Sequence, residues 1–164
     1  MTEAIIFDLD GTLIDLPINY HRLFQEIGKI TKTNEIRPIT KTIANLDEKA
    51  RKKIFEKWET IELDAFENMT TINEGMNLYK KYHDKPKALV TMQGRTLVKQ
   101  ALEQLTLSFN HILTREDSLF RTEQIRTAAQ KLGTNTQKIL FIGNTDEDAN
   151  AAKETGCKFQ KVGE

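Results

Sequence analysis

Asp8 and Asp10 stand two residues apart, with Gly11 and Thr12 directly behind them. Carboxylates at that spacing face one pocket if the chain turns after the first, and Gly11 permits a sharp turn. One acid can then attack as a nucleophile while its neighbour moves protons. Two nearby carboxylates also attract a hard divalent cation, typically Mg²⁺ with retained waters. A calcium loop is a poor alternative, because an EF-hand needs three ligand positions before its glycine and a glutamate further on. A strand-to-helix turn with acidic caps is the blander reading of the pair. Two other places in the chain argue against it. Thr91 directly follows the apolar run Ala88-Leu89-Val90, and Gly143-Asn144-Thr145-Asp146-Glu147-Asp148 follows Ile139-Leu140-Phe141-Ile142.

Each of these polar clusters closes a short, continuous apolar run. Ala4–Phe7, Ala88–Val90 and Ile139–Ile142 read as strands buried on both faces, as in the interior of a parallel sheet. His111–Leu113 and Phe159–Val162 are weaker strand candidates. Between the later runs lie helical patterns. Leu97, Val98, Ala101, Leu102 and Leu105 share one face, as do Ile125, Ala128, Ala129 and Leu132 before the stop at Gly133. Asp148 to Thr155 reads as a further helix, stopped by Gly156. The alternation predicts an α/β fold, a Rossmann-like three-layer core around a parallel sheet. In such sheets ligands bind outside the carboxyl ends of the strands, where all three polar clusters fall.

The stretch from Ile14 to Lys85 breaks the rhythm and shows no strand pattern. Leu23, Phe24, Ile27 and Ile30 fit one helix face. Ile54, Phe55, Trp58, Ile61 and Phe66 fit another, whole or broken, and Ile72 to Tyr82 a third. The expected organisation is therefore a core of residues 1–14 and 86–164 carrying a helical insert, 15–85.

Composition narrows the function classes. Lysine plus arginine and aspartate plus glutamate both number 24, so the net charge is zero, with no basic footprint for nucleic acid or for an anionic membrane surface. The single cysteine, Cys157, excludes an intrachain disulfide and a multi-cysteine zinc site. No apolar run reaches the roughly 18 residues of a membrane span. Met1-Thr2-Glu3 lacks the basic start of a signal peptide, and a cytoplasmic location is expected.

Phe7-Asp8-Leu9-Asp10-Gly11-Thr12-Leu13, then Thr91 at a strand end, then Gly143-Asn144-Thr145-Asp146-Glu147-Asp148 resemble, in order, motifs of the haloacid dehalogenase superfamily. The likeness covers essentially the whole chain; the insert 15–85 resembles the family's small helical cap, and Gln130-Lys131-Leu132-Gly133, a strand, then Gly143 resemble phosphoglycolate-phosphatase-like members. It implies a Mg²⁺-dependent hydrolase of a small phosphate monoester, with Asp8 forming an aspartyl-phosphate. Asp10 would protonate the leaving alcohol and later deprotonate water, and Thr12 would orient it. Thr91 and Met92 would bind the phosphate. The family's Lys-Pro dipeptide is missing from the stretch Thr114–Thr122 before the next helix, and Arg121 is the candidate for its cationic role, with Arg115 and Arg126 as alternatives. The implied metal set is Asp8, the Asp10 backbone carbonyl, Asn144 and Asp148. Asn144 stands where relatives usually carry aspartate, and Asp146 is an additional acid nearby. A phosphotransferase or phosphomutase of the same fold, or a non-catalytic binding protein, are the alternatives. His21, His83, His111, Cys157 and Trp58 read as structural.

Overall fold

Strand β1 (Ala4–Phe7) is buried along its whole length and divides its side chains between two apolar layers. Ile5 and Phe7 enter one layer, Ala4 and Ile6 the other, as the two-residue period of a strand requires. The computed structural model describes residues 1–33 and 35–163. In it β1 is the centre of a five-stranded parallel sheet. The order is β5 (His111–Leu113), β4 (Lys87–Val90), β1, β6 (Ile139–Gly143), β7 (Lys158–Lys161). The two weaker strand candidates are thus the two edges. Helix α5 (Arg95–Leu105) buries Leu97, Val98 and Ala101 on the Phe7 side. Helices α6 (Arg121–Leu132) and α7 (Asp146–Thr155) bury Ile125, Ala128, Ala151 and Ala152 on the other. Each buried Ile or Phe contributes about 1.5–3 kcal/mol relative to leaving it exposed. The result is the expected three-layer α/β core.

Three helices leave the core after β1. They are α1 (Tyr20–Thr31), α2 (Ile39–Ala44) and α3 (Glu48–Phe66). Asn19 caps α1 by accepting the Arg22 N–H, and Asp47 caps α3 by accepting that of Ala50. Between Ile54 and Phe66 the helix is whole. No glycine or proline interrupts α3, and Ile54, Trp58, Ile61 and Ala65 form one continuous buried face.

The expectation of no strand between Ile14 and Lys85 is corrected. β2 (Ile14–Asp15) and β3 (Thr70–Thr71) pair antiparallel where the chain leaves the core and returns. Two residues are too few for alternation to register in a sequence. Helix α4 (Asn73–Lys81) then packs on the sheet face. Its Tyr79 ring lies 6.1 Å from Phe7, and the Tyr79 hydroxyl accepts the Ser108 N–H (2.9 Å). A Cβ on Gly75 would fall 1.8 Å from the Thr12 carbonyl oxygen, so the first turn of α4 rests directly on the loop after β1.

The chain runs from β1 outward to β4 and β5, then crosses back through α6 to β6 and β7. β1 and β6 are neighbours at which the direction of winding reverses. The crevice beyond their carboxyl ends is the natural ligand position of this topology.

Candidate active site

Register fixes the first acid. Phe7 pairs with Ile142, and the Asp8 N–H donates to the Ile142 carbonyl (3.0 Å), so Asp8 emerges at the end of both strands. The chain then folds back sharply. Leu13 N–H and Ile14 N–H both donate to the Leu9 carbonyl (2.9 and 3.1 Å). Gly11 has φ +85°, and a Cβ there would lie 2.1 Å from the Asn144 side-chain nitrogen. Glycine is required for conformation and for close approach alike. The turn returns Asp10 to the pocket, where its Oδ1 accepts the Leu16 N–H (2.9 Å).

Arg121, the first residue of α6, holds two acids together. Its Nη2 donates to Asp8 Oδ1 (3.0 Å) and its Nε to Asp148 Oδ1 (3.1 Å). Of the three candidate arginines, this is the one brought to Asp8. Arg126 is exposed. Arg115 is buried elsewhere, donating to Glu62 Oε2 (2.7 Å) and to the Met92 carbonyl (3.2 Å). Asp148 belongs to a capping box. Its Oδ2 accepts the Asn144 and Thr145 N–H groups, while Thr145 Oγ1 accepts the Asp148 N–H. That box starts α7 at Asp146, two residues before the expected start. Thr12 Oγ1 lies 3.3 Å from Asp8 Oδ2 and 3.4 Å from Asn144 Oδ1, bridging them. Asp146 is exposed and stands 3.7 Å from Lys161 Nζ, outside the cleft lining.

Thr91 is buried and accepts the Gln93 N–H on its hydroxyl (3.0 Å) instead of capping α5, whose N-cap is Gly94. Asp8, Asp10, Thr91, Met92, Arg121, Asn144 and Asp148 all line one cleft of about 600 Å³. Leu16, Tyr20, Ile39, Thr40 and Trp58 from the inserted segment line it from above. A groove of about 670 Å³ along α5 and β5, lined by Val98, Leu102, Leu107 and Ile112 together with Arg95, Lys99 and Glu103, contains none of these residues.

Burial pushes the Asp8 carboxyl up to about 7; Arg121 opposes this and the Asp148 charge adds to it. Asp10 is pushed up to about 6, again chiefly by burial, with the Leu16 N–H pulling the other way. Two neighbouring acids that titrate near neutrality are the environment of acid–base chemistry.

The sequence profile of the haloacid dehalogenase-like hydrolases matches residues 5–162. This chain belongs to that family. Pyrophosphatase PpaX of Oceanobacillus iheyensis is 26% identical to this hydrolase over 179 aligned positions, covering 98% of this chain and 83% of the relative. Among solved structures, a haloacid dehalogenase-like hydrolase of Streptococcus pneumoniae superposes with TM-score 0.71 at 20% identity, over 99% of this chain and 85% of the other. L-2-haloacid dehalogenase of Xanthobacter autotrophicus superposes with TM-score 0.66 at 15% identity, over 99% and 78%. At such identities the structures share the fold. Function must be argued from the site.

Among the described residues of the hydrolase, no three His, Cys, Asp or Glu side chains converge as a metal cluster. Two carboxylates do, Asp8 and Asp148, with the single charge of Arg121 between them and the Asn144 amide beside Asp8. The surplus negative charge and hard oxygen donors fit Mg²⁺, which takes one or two protein carboxylates and keeps waters.

Sequence reasoning missed two residues. Gln124 is buried. Its Oε1 accepts from Arg121 Nη1 (2.8 Å), and its Nε2 donates to the Thr91 carbonyl (2.8 Å), which ties the phosphate-loop candidate to the arginine. The signal was there: Gln124 sits three residues after Arg121, on the face that continues to Ile125 and Ala128. Glu62 is the other. It hides in an α3 face read as apolar, and its partner Arg115 lies far along the chain.

Proposed function

We propose that this hydrolase cleaves a small phosphate monoester through an aspartyl-phosphate on Asp8, with Mg²⁺ as cofactor. The observation that carries the reading is the shared guanidinium. Arg121 binds Asp8 and Asp148 at 3.0 and 3.1 Å at the β1–β6 switch point, and Asp10 stands two residues from Asp8.

An Asp8 carboxylate oxygen attacks phosphorus and the ester oxygen leaves. Asp10, whose carboxyl titrates at about 6, retains a protonated fraction near neutrality to give that oxygen its proton. The Asp10 carboxylate then takes a proton from water, which attacks the acyl phosphate, releases inorganic phosphate and restores Asp8. Arg121 and the Thr91 hydroxyl donate to phosphoryl oxygens, and the arginine fork matches two of them. The metal would be held by Asp8, Asp148, Asn144 and the Asp10 carbonyl. When bound, it supplies positive charge against the phosphoryl oxygens and favours ionised Asp8.

The inserted helices act as a cap. We draw it as residues 16–69 and assign α4 to the core layer, because Tyr79 and Gly75 rest on the sheet and on the loop after β1. A cytoplasmic site of action accords with a lone buried thiol at Cys157.

The test is phosphate release from a panel of phosphomonoesters with Mg²⁺, with and without chelator. Wild type should release phosphate only with metal, and Asp10→Asn should lose roughly 10²- to 10⁴-fold in kcat. No release from any ester by the folded protein would sink the proposal.

A further inference from the structure

The cleft that receives the leaving group has an uneven charge. Its lining holds five acids, Asp8, Asp10, Asp15, Glu147 and Asp148, and among the described residues one cation, Arg121. That cation is already engaged by Asp8 and Asp148 and faces the position of the phosphoryl group. Beyond Asp15, the residues of the inserted segment that line the site are Leu16, Tyr20, Ile39, Thr40 and Trp58, all uncharged. A leaving group bearing a carboxylate or a second phosphate would meet acids with no arginine or lysine to pair with, and would lose water without compensation.

Two aromatic rings that line this cleft are exposed, Tyr20 and Phe120. Tyr20 opens α1 in the inserted segment, and Phe120 immediately precedes Arg121 in the core. Each is 43% exposed, and they are two of only four large exposed apolar side chains among the described residues. Both line the cleft. Phe24 backs Tyr20 at a ring separation of 6.2 Å. Exposed aromatic surface at the rim of a polar site marks a place where a ligand covers it.

We propose that the substrate's leaving group is an uncharged moiety with a flat apolar face, seated between Tyr20 and Phe120. This rests on the phosphatase reading above and narrows it: glycolate-type, pyrophosphate and bisphosphorylated substrates are disfavoured. Tyr20 and Phe120, one from the inserted segment and one from the core, are specificity-determining residues, while the phosphoryl chemistry stays with Asp8, Asp10 and Arg121.

The experiment compares kcat/KM of the Mg²⁺-loaded enzyme on benzyl phosphate, glycerol 1-phosphate, 2-phosphoglycolate and pyrophosphate. The first three all expel an alkoxide, so differences among them report recognition of the leaving group. Benzyl phosphate should exceed 2-phosphoglycolate and pyrophosphate by about 100-fold, and glycerol 1-phosphate by about tenfold, a step of 1.4 kcal/mol. Tyr20→Ala and Phe120→Ala should each lower the benzyl-to-glycerol ratio roughly five- to tenfold, mainly through KM. Preference for 2-phosphoglycolate or pyrophosphate overturns the proposal while leaving the phosphatase reading intact. So does a ratio that neither variant moves. Hydrolysis of none of the four, nor of any other phosphomonoester, removes the phosphatase reading and this proposal with it.

Discussion

At the scale of single residues, the site is a contest between burial and compensation. Asp8 is buried beside Asp148, and one arginine serves both. Asn144 enters this balance as a neutral donor where a third carboxylate could stand. Its amide packs against Gly11 and meets the Thr12 hydroxyl, so an aspartate fits the same space. A unit charge at ~4 Å is worth about 4 kcal/mol at an effective dielectric of 20, and desolvation removes much of it. Retaining only 1.4 kcal/mol, Asn144→Asp should lower the Mg²⁺ concentration for half-maximal activity about tenfold. Metal titrations of wild type, Asn144→Asp and Asp146→Asn check this. Asp146 is exposed beside Lys161, so Asp146→Asn should leave the titration unchanged. An effect of Asp146→Asn with none from Asn144→Asp would reassign the ligand. The acids at strand ends were legible because a buried apolar run followed by carboxylates is a local pattern. Gln124 and Glu62 were not, because their roles depend on partners brought together by the fold.

At the scale of elements, one buried ion pair ties the inserted helices to the core. Glu62 of α3 accepts from Arg115 Nη1 (2.7 Å) and from the Gly94 N–H, and both side chains are essentially inaccessible. The guanidinium lies over the Trp58 ring at 4.3 Å. Arg115 also donates to the Met92 carbonyl, so the pair grips the loop after β4 from two sides. Burial raises the Glu62 carboxyl, and Arg115 draws it back. Removing one partner strands the other charge. Arg115→Met or Glu62→Gln should therefore destabilise the protein by roughly 3–5 kcal/mol, and the double variant by less than the sum. Denaturant titration of the cycle decides it; additive effects would show that the two charges do not couple. The strands and the longer helices could be read from periodicity, because their burial patterns repeat. The β2–β3 pair and α2 could not, because two to six residues carry too little pattern. Placing α4 on the sheet required the contact of Gly75 with Thr12, which no spacing rule reveals.

At the scale of the whole molecule, the raised acids couple stability to pH and metal. The Asp8 carboxyl moves from an unfolded value near 3.8 to about 7, and that of Asp10 to about 6. Between those limits the folded state holds protons that the unfolded state has released, so stability must fall as pH rises. The contribution is complete below about 3.8 and lost as pH passes about 7. The metal-free protein should melt at a higher temperature at pH 5.5 than at pH 8. Mg²⁺ should raise the melting temperature more at pH 8, where the acids are ionised, than at pH 5.5. Thermal melts at both pH values, with Mg²⁺ or chelator, check the sign; a metal effect larger at pH 5.5 would contradict it.

The proposed function rests on Asp8 as the nucleophile, and the covalent bond it would form can be sought directly. The measurement is peptide mass spectrometry of acid-quenched enzyme taken during turnover of a hydrolysed phosphomonoester with Mg²⁺. A phosphoryl group should appear on the peptide containing Asp8, and Asp8→Asn, folded and free of deamidation, should show neither the adduct nor phosphate release. Steady turnover by that variant, or an adduct on any other residue, would contradict the assignment of Asp8.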